Sequence, residues 1–345
     1  MSKHPGAFFI AMLTAWLASA FVFAATDDGY YKGKTVRFIV AFSAGGGFDT
    51  YTRAIARHFG KHLPGNPSVL VENMPGAGGF IQANYMYQAK PDGLTVGNNI
   101  GGLILQQIMG AKGANFDGKR FEYIGAPAID TPVCALAKAS GITSIDKWFA
   151  AKEPVKLGGV GAGGTHSDVA RTLTAALKLP IQLVEPYKGT AEIKLAAESG
   201  ELAGGCWAWE SVKATWTKAL ESGDANVVVT VMPKRHPELP NVPTALEFAK
   251  TDDARRVLKY AIHDIATITR LYFLPPATSK DREIYSVFQS SLRWERDKVP
   301  PRSPRQRLAY NSWEDKGIRT QIRGRRWCQI RVGCDIRYRS AASCP

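Results

Sequence analysis

The sequence predicts an α/β protein of two lobes, each built on a mostly parallel sheet with helices on both faces. Three observations carry this reading. Short apolar runs alternate with amphipathic stretches along most of the chain, the pattern of parallel strands joined by helical crossovers. A glycine-rich turn joins a strand to a helix in each half. The 345 residues are enough for two ordinary cores.

The first turn is Phe42-Ser43-Ala44-Gly45-Gly46-Gly47-Phe48-Asp49, and the second is Gly158-Gly159-Val160-Gly161-Ala162-Gly163-Gly164-Thr165-His166-Ser167. A strand that feeds a helix through glycines leaves the first N–H groups of the helix unpaired and aimed at one place. The peptide dipoles add partial positive charge there, so the place attracts anions. Two such turns in two halves of one chain imply an anion held between two lobes.

Each element has its own justification. Residues 35–42 form a near-continuous run of strand formers, as expected of a strand covered on both faces. After the glycines, Tyr51, Ala54, Ile55, His58, Phe59 and His62 recur at helical spacing, with Asp49 or Thr50 as N-cap. Residues 68–71 are a short strand, followed by the turn Asn73-Met74-Pro75-Gly76-Ala77-Gly78-Gly79 and a helix over 80–89. Lys90-Pro91-Asp92-Gly93 is a strong turn signal before a strand at 95–98. The alternation resumes with strands at 155–160, 181–185, 202–207 and 226–231, and helices at 167–177, 190–199 and 211–222. Residues 123–136 carry the chain into the second lobe. The proline-rich stretch 233–243 carries it back, and 270–274 rejoins the first lobe as a strand. The resulting division is 26–126 for the first lobe, 127–236 for the second and 237–288 for the return segment.

The two ends differ from this body. Lys3 and His4 precede an apolar run from Ala7 to Phe23 and the small residues Ala24 and Ala25, which reads as a secretory signal peptide over residues 1–25. Overall net charge is +14, but residues 291–345 hold 14 Lys and Arg against 5 Asp and Glu, so most of the excess sits in a basic tail. Of five cysteines, only Cys134 and Cys206 lie in the body. An oxidising compartment would permit them to pair; they are read as separate buried small residues, because sequence alone cannot place them within bridging distance.

Taken together, the segments are no longer generic. Tyr31-Lys32-Gly33-Lys34-Thr35-Val36, the first glycine turn, residues 73–79 and Pro91-Asp92-Gly93 occur in order with Gly163-Gly164-Thr165-His166, Tyr187-Lys188-Gly189, Gly200-Glu201-Leu202 and residues 237–244. This ordered set resembles the extracytoplasmic solute receptors of tripartite tricarboxylate transporters, the Bug receptors, from about Tyr31 to Ser286. The resemblance implies a periplasmic-binding-protein fold, whose lobes close on a solute like a flytrap, with no catalysis and no cofactor. It implies that backbone N–H groups of both turns hold a carboxylate of a small organic acid. Ser43, Ala44, Gly45, Gly46 and Gly47 would serve in the first turn, and Gly163, Gly164, Thr165 and His166 in the second. Asp49 either lies near the solute or caps its own helix, and Tyr187 either lines the cleft or packs as a core aromatic. The implied partners are integral-membrane permease subunits, with a sensor kinase as a second destination of the loaded receptor, and the receptor itself is a monomer.

Two departures stand out. Where many relatives carry an acidic residue after Gly-Glu-Leu, this chain has Ala203, followed by the aromatic-rich Gly205-Cys206-Trp207-Ala208-Trp209. Both tryptophans are read as core; in the cleft they would imply a larger or flatter solute than a citrate-like acid. From Val287 onward the family pattern stops, which reads as a change of reading frame, giving the atypical segment 289–345.

Other functions find less support. A secreted hydrolase would use Ser43 or Ser167 with His166, but there is no Gly-x-Ser-x-Gly elbow. A nucleotide enzyme would need a strict Gly-x-Gly-x-x-Gly after the first strand with its acidic partner, or a Walker lysine; neither is present. His58 and His62 share a helix face, but that face is the apolar one, so no metal site is expected. Nucleic-acid binding through the basic tail is not expected as a biological role.

Overall fold

The computed structural model describes residues 29–280 together with Ile284 and Phe288. The expected signal peptide and basic tail lie outside the described residues.

The first lobe begins with β1 (Thr35–Val40), α1 (Gly47–Phe59), β2 (Ser68–Asn73), α2 (Phe80–Gln88), β3 (Thr95–Asn99), α3 (Gly102–Ile108) and β4 (Glu122–Gly125). The second lobe comprises β5 (Pro132–Ala137), α4 (Ile145–Phe149), β6 (Val155–Gly158), α5 (Thr165–Leu177), β7 (Ile181–Val184), α6 (Thr190–Glu198), β8 (Gly204–Ala208), α7 (Trp209–Thr215), α8 (Thr217–Ser222) and β9 (Ala225–Thr230). Next come α9 (Asp252–Leu258), a π-helical turn Lys259–His263 and α10 (Asp264–Ala266), after which β10 (Leu271–Leu274) completes the first sheet.

Strand order is β2-β1-β3-β10-β4 in the first sheet and β7-β6-β8-β5-β9 in the second. In each sheet one strand runs against the other four: β10 is antiparallel to β3 and β4, and β5 is antiparallel to β8 and β9. These are the two strands entered directly from the connections between lobes. A chain arriving from the junction must run away from it, whereas strands fed by helical crossovers run toward it. The sheets are therefore mixed but mostly parallel, as the alternation predicts, and the turns after β1 and β6 lie at carboxyl ends of strands, where ligands of such sheets bind.

Burial follows the pattern. In β1, Val36 and Phe38 pack with Phe59, Tyr272 and Phe288 in one cluster, while Ile39 and Val40 join a second. That second cluster continues into the other lobe through Phe42, Phe48, Val133, Ile193 and Trp207, so apolar burial itself joins the lobes. A third core, around Trp148, Leu157, Leu173 and Val229, lies within the second lobe.

Three expectations are corrected. Cys134 and Cys206 form a disulfide. They are 72 residues apart in sequence, and only the antiparallel register of β5 on β8 sets them directly opposite one another. The return to the first lobe comes later than residue 237. Thr244 bridges to Thr230, and Ala245, Ala249, Ala254, Leu258 and Ile262 pack into the second lobe's core, so the chain crosses back only at about Thr269–Arg270. The single helix expected over 211–222 is two, interrupted at Trp216 (φ −124°), whose buried indole stacks on Trp207.

Candidate functional site at the lobe junction

In the first turn, the chain runs from β1 to α1 with Gly45 at φ +76°. Ser43 N–H donates to the Lys188 carbonyl of the other lobe at 3.0 Å, and Gly46 N–H donates to Ser43 O at 3.3 Å. Gly45 N–H donates to Asp49 Oδ2 at 2.9 Å. Asp49 is buried, and its carboxylate also accepts from Arg53 Nε and from Asn73 Nδ2. Burial acts to raise its pKa, but the bonds from Arg53, Gly45 and Asn73 outweigh it and hold the carboxylate below its usual range. Asp49 thus braces the turn from within. Asn73 Nδ2 also donates to Phe42 O at 2.8 Å, tying the end of β2 to the same loop.

The second turn is braced more heavily. Ser167 Oγ accepts from Val160 N–H and Gly161 N–H, each at 3.0 Å, and donates to Glu185 in a short bond. Glu185 Oε1 accepts a further bond from Gly161 N–H at 2.9 Å and pairs with Arg171. Asp168 accepts from Gly163 N–H at 3.2 Å, and its carboxyl also bonds Gln106 of the first lobe. Burial pushes Asp168 up to about 6, against the opposing pull of Gly163 N–H, Arg171 and Gln106.

Each turn therefore provides a carboxylate for part of its own anion-attracting end. Among the described residues, Ala44 and Gly47 N–H in the first turn, and Thr165 and His166 N–H in the second, have no intramolecular partner. Gly47, Thr165 and His166 stand in first helical turns, whose amides cannot be paired internally, while Ala44 lies in the loop just before its helix.

Both turns touch the opposite lobe. A Cβ on Gly78 would overlap the Ala162 carbonyl oxygen, and one on Gly102 would stand 2.5 Å from Gly163 O. Gly78 also has φ +64°, so both its backbone and its surroundings require glycine. The first turn faces the start of α6: a Cβ on Gly46 would lie 3.8 Å from Thr190 Cβ, and one on Gly189 would lie 2.5 Å from Ser43 Oγ. His166 is buried behind this contact, with Nε2 at 3.1 Å from Thr190 Oγ1. Burial lowers its pKa to about 4, so the imidazole is neutral. Neither Ser43 nor Ser167 is hydrogen-bonded to His166 among the described residues, so the serine–histidine contact that a hydrolase needs is not formed.

Sequence reasoning missed the polar group at the crossing strands. Arg270, 1% exposed, pairs with Asp130, also 1% exposed, at 2.5 Å. Its Nη2 donates to Ser211 Oγ on α7 at 2.8 Å, and its guanidinium lies 4.3 Å from the Tyr51 ring centroid and 5.0 Å from that of Phe48. Burial would lower the Arg270 pKa, but Asp130 and Tyr51 outweigh it and hold it up. Burial raises the Asp130 pKa, against the attraction of Arg270. An arginine before an apolar strand gave no local sign of this; only its separation of 140 residues from Asp130, closed by the fold, creates the pair.

Tyr187 is half-buried against the junction cluster, and its hydroxyl donates to Glu201 Oε1 at 2.6 Å. Trp209 points to the proline-rich connection, donating to Glu238 Oε2 at 2.7 Å, whereas Trp207 is 2% exposed beside His166.

Comparisons with known proteins agree with this architecture. MatC from Rhodopseudomonas palustris, solved with malate bound, superposes with a TM-score of 0.63 at 22% identity, covering 82% of this chain and 96% of that one. The periplasmic binding protein BugD superposes with a TM-score of 0.61 at 22% identity, covering 81% and 86%. At the sequence level, the UPF0065 protein in the gbd 5' region of Cupriavidus necator is 29% identical over 245 residues, or 69% of this chain and 71% of that protein. The tripartite tricarboxylate transporter family receptor pattern matches residues 52–258, more than half of the chain. With a two-lobed α/β fold of periplasmic-binding-protein type and that match, the chain belongs to the tripartite tricarboxylate transporter receptor family.

Proposed function

We propose that this protein is a periplasmic receptor that captures a small organic carboxylate between its lobes and delivers it to the permease subunits of a tripartite transporter. It would reach the periplasm by a cleaved N-terminal signal peptide and act as a monomer. The solute carboxylate would accept from the unpaired amides of the two turns, at Ala44, Gly47, Thr165 and His166, and from Ser43 Oγ. The remaining turn residues, Gly45, Gly46, Gly163 and Gly164, would shape the backbone, while Asp49 and Tyr187 would hold the rim through their own partners. One observation carries the reading. Ser43 Oγ is buried where the first turn meets Gly189, and it has no hydrogen-bond partner among the described residues. Natural proteins rarely leave such an atom unmet without a ligand or water to meet it. MatC, which shares the fold, binds malate. Closure follows from contacts that both lobes make to one solute, which shifts a population toward the closed form.

Thermal unfolding against a panel of di-, tri- and aromatic carboxylates tests this. A melting temperature that rises with the concentration of one acid supports the receptor reading and identifies the solute class. A cooperative transition that no acid moves would overturn the carboxylate assignment.

A further inference from the structure

Besides Ser43 Oγ, the buried polar atoms without a partner among the described residues include two on adjacent side chains of the second lobe, His166 Nδ1 and Trp207 Nε1. They belong to neighbouring rings, with centroids 5.8 Å apart and planes tilted by 32°. Trp207 stacks on Trp216 on its other side, also at 5.8 Å. The path to the first turn is short, running from His166 Nε2 to Thr190 Oγ1 and from Thr190 to Gly46.

An indole N–H can only donate, and burying it unmet is destabilising. Phenylalanine would fill the same stack without that cost. The imidazole, neutral here, carries one N–H and one lone pair. Because its Nε2 meets a hydroxyl that can donate or accept, Nδ1 can take either role. A single oxygen can answer both atoms by accepting from the indole and exchanging a hydrogen bond with the imidazole; a hydroxyl does so with either imidazole tautomer, whereas a carbonyl or carboxylate oxygen does so only when Nδ1 carries the proton. A second carboxylate would satisfy the indole but would bury its charge beside a neutral imidazole and two apolar ring systems. A methylene would satisfy neither.

We infer that His166 and Trp207 form a hydroxyl-reading subsite beside the carboxylate anchor, and that the solute is a hydroxy acid. The inference rests on the receptor reading above and specifies the substrate class of that same site.

Isothermal titration of the purified protein with matched acids tests it, using malate with succinate, lactate with propionate, and citrate with tricarballylate. In at least one pair the hydroxy acid should bind tighter than its deoxy partner, by about tenfold or more, since a site built for a hydroxyl penalises its loss. Trp207→Phe, which keeps the ring stack, should weaken the hydroxy acid by about tenfold while leaving the deoxy acid unchanged. Independently of stability changes in the variant, the Trp207 indole N–H resonance should shift on adding the hydroxy acid and stay in place with the deoxy acid. If hydroxy and deoxy acids bind alike, or Trp207→Phe weakens both equally, the subsite is refuted and the receptor reading stands. If none of these acids binds while another acid of the thermal panel does, the subsite is refuted and the receptor reading stands; if no acid of either set binds, the carboxylate reading fails and the subsite fails with it.

Discussion

Replacing Cys134 and Cys206 together by alanine should lower the unfolding free energy by about 4 kcal/mol. The half-cystines are separated by 72 residues and lie face to face on β5 and β8, in the middle of the second sheet. Cross-linking an unfolded chain over such a loop removes roughly 15 cal/mol/K of entropy, or about 4.4 kcal/mol at 25 °C. Both side chains are fully buried, so losing their sulfur atoms adds to this cost. Against a usual margin of about 5–15 kcal/mol, the effect is large. Urea titrations followed by far-ultraviolet circular dichroism would measure it, with a steeper denaturant dependence for the variant because its unfolded chain is no longer tethered. Each single variant should cost nearly as much as the double, since either one breaks the bond. A double variant within about 1 kcal/mol of the oxidised protein, or single costs that add up to the double, would refute the reasoning.

Three further outcomes are expected. Gly47→Ala would drive a Cβ into the Ser211 hydroxyl, costing about 1–3 kcal/mol of stability. Because Ser211→Gly also loses the bond from Arg270, the comparison is a cycle: adding Gly47→Ala to Ser211→Gly should cost less than adding it to the parent protein in the same urea assay, and an equal added cost would show that the clash is not the cause. Arg270→Met leaves Asp130 buried without its partner and should cost about 3–5 kcal/mol, most of it regained by pairing the change with Asp130→Leu. Equal losses in the single and double variants would count against the ion pair as the source. For pH, His166 has a folded pKa of about 4 against 6.5 unfolded, so the unfolded chain binds more protons between those values. That stability is fully present above 6.5 and declines by about 3 kcal/mol as pH falls to 4. Asp168, raised from 3.8 to about 6, acts in the opposite sense, contributing fully below 3.8 and losing its contribution as pH rises through 6. His166→Gln should therefore make the loss of stability between pH 6.5 and 4 smaller by about 3 kcal/mol; an unchanged pH profile would contradict the buried, neutral imidazole.

Much of the fold was legible because its signals are local. The strand formers at Thr35–Val40, the glycines before α1 and α5, and the Pro91-Asp92-Gly93 turn each constrain their own few residues. The strand-to-helix order then fixes mostly parallel sheets, since crossovers of one hand leave few alternatives. The site was legible only as backbone. The sequence alone located two anion-attracting turns, because unpaired helix N–H groups follow from chain geometry whatever the side chains do.

Tertiary structure decided what depends on residues far apart in sequence. The Cys134–Cys206 bond follows from the register of β5 on β8, and the Asp130–Arg270 pair follows from the crossing of two connecting strands. The place of residues 244–266 on the second lobe depends on which core their apolar residues join, and local sequence does not say. The carboxylates of Asp49, Asp168 and Glu185 take up part of each turn's own positive end, so fewer amides remain unpaired than the glycines suggest. Trp207 reads as a core residue by its hydrophobicity and is one by its burial, yet its N–H is unmet beside His166. Hydrophobic pattern and turn chemistry act over a few residues and can be read along the chain. Pairing, orphaned polar atoms and the choice of core exist only once the chain has brought distant residues together.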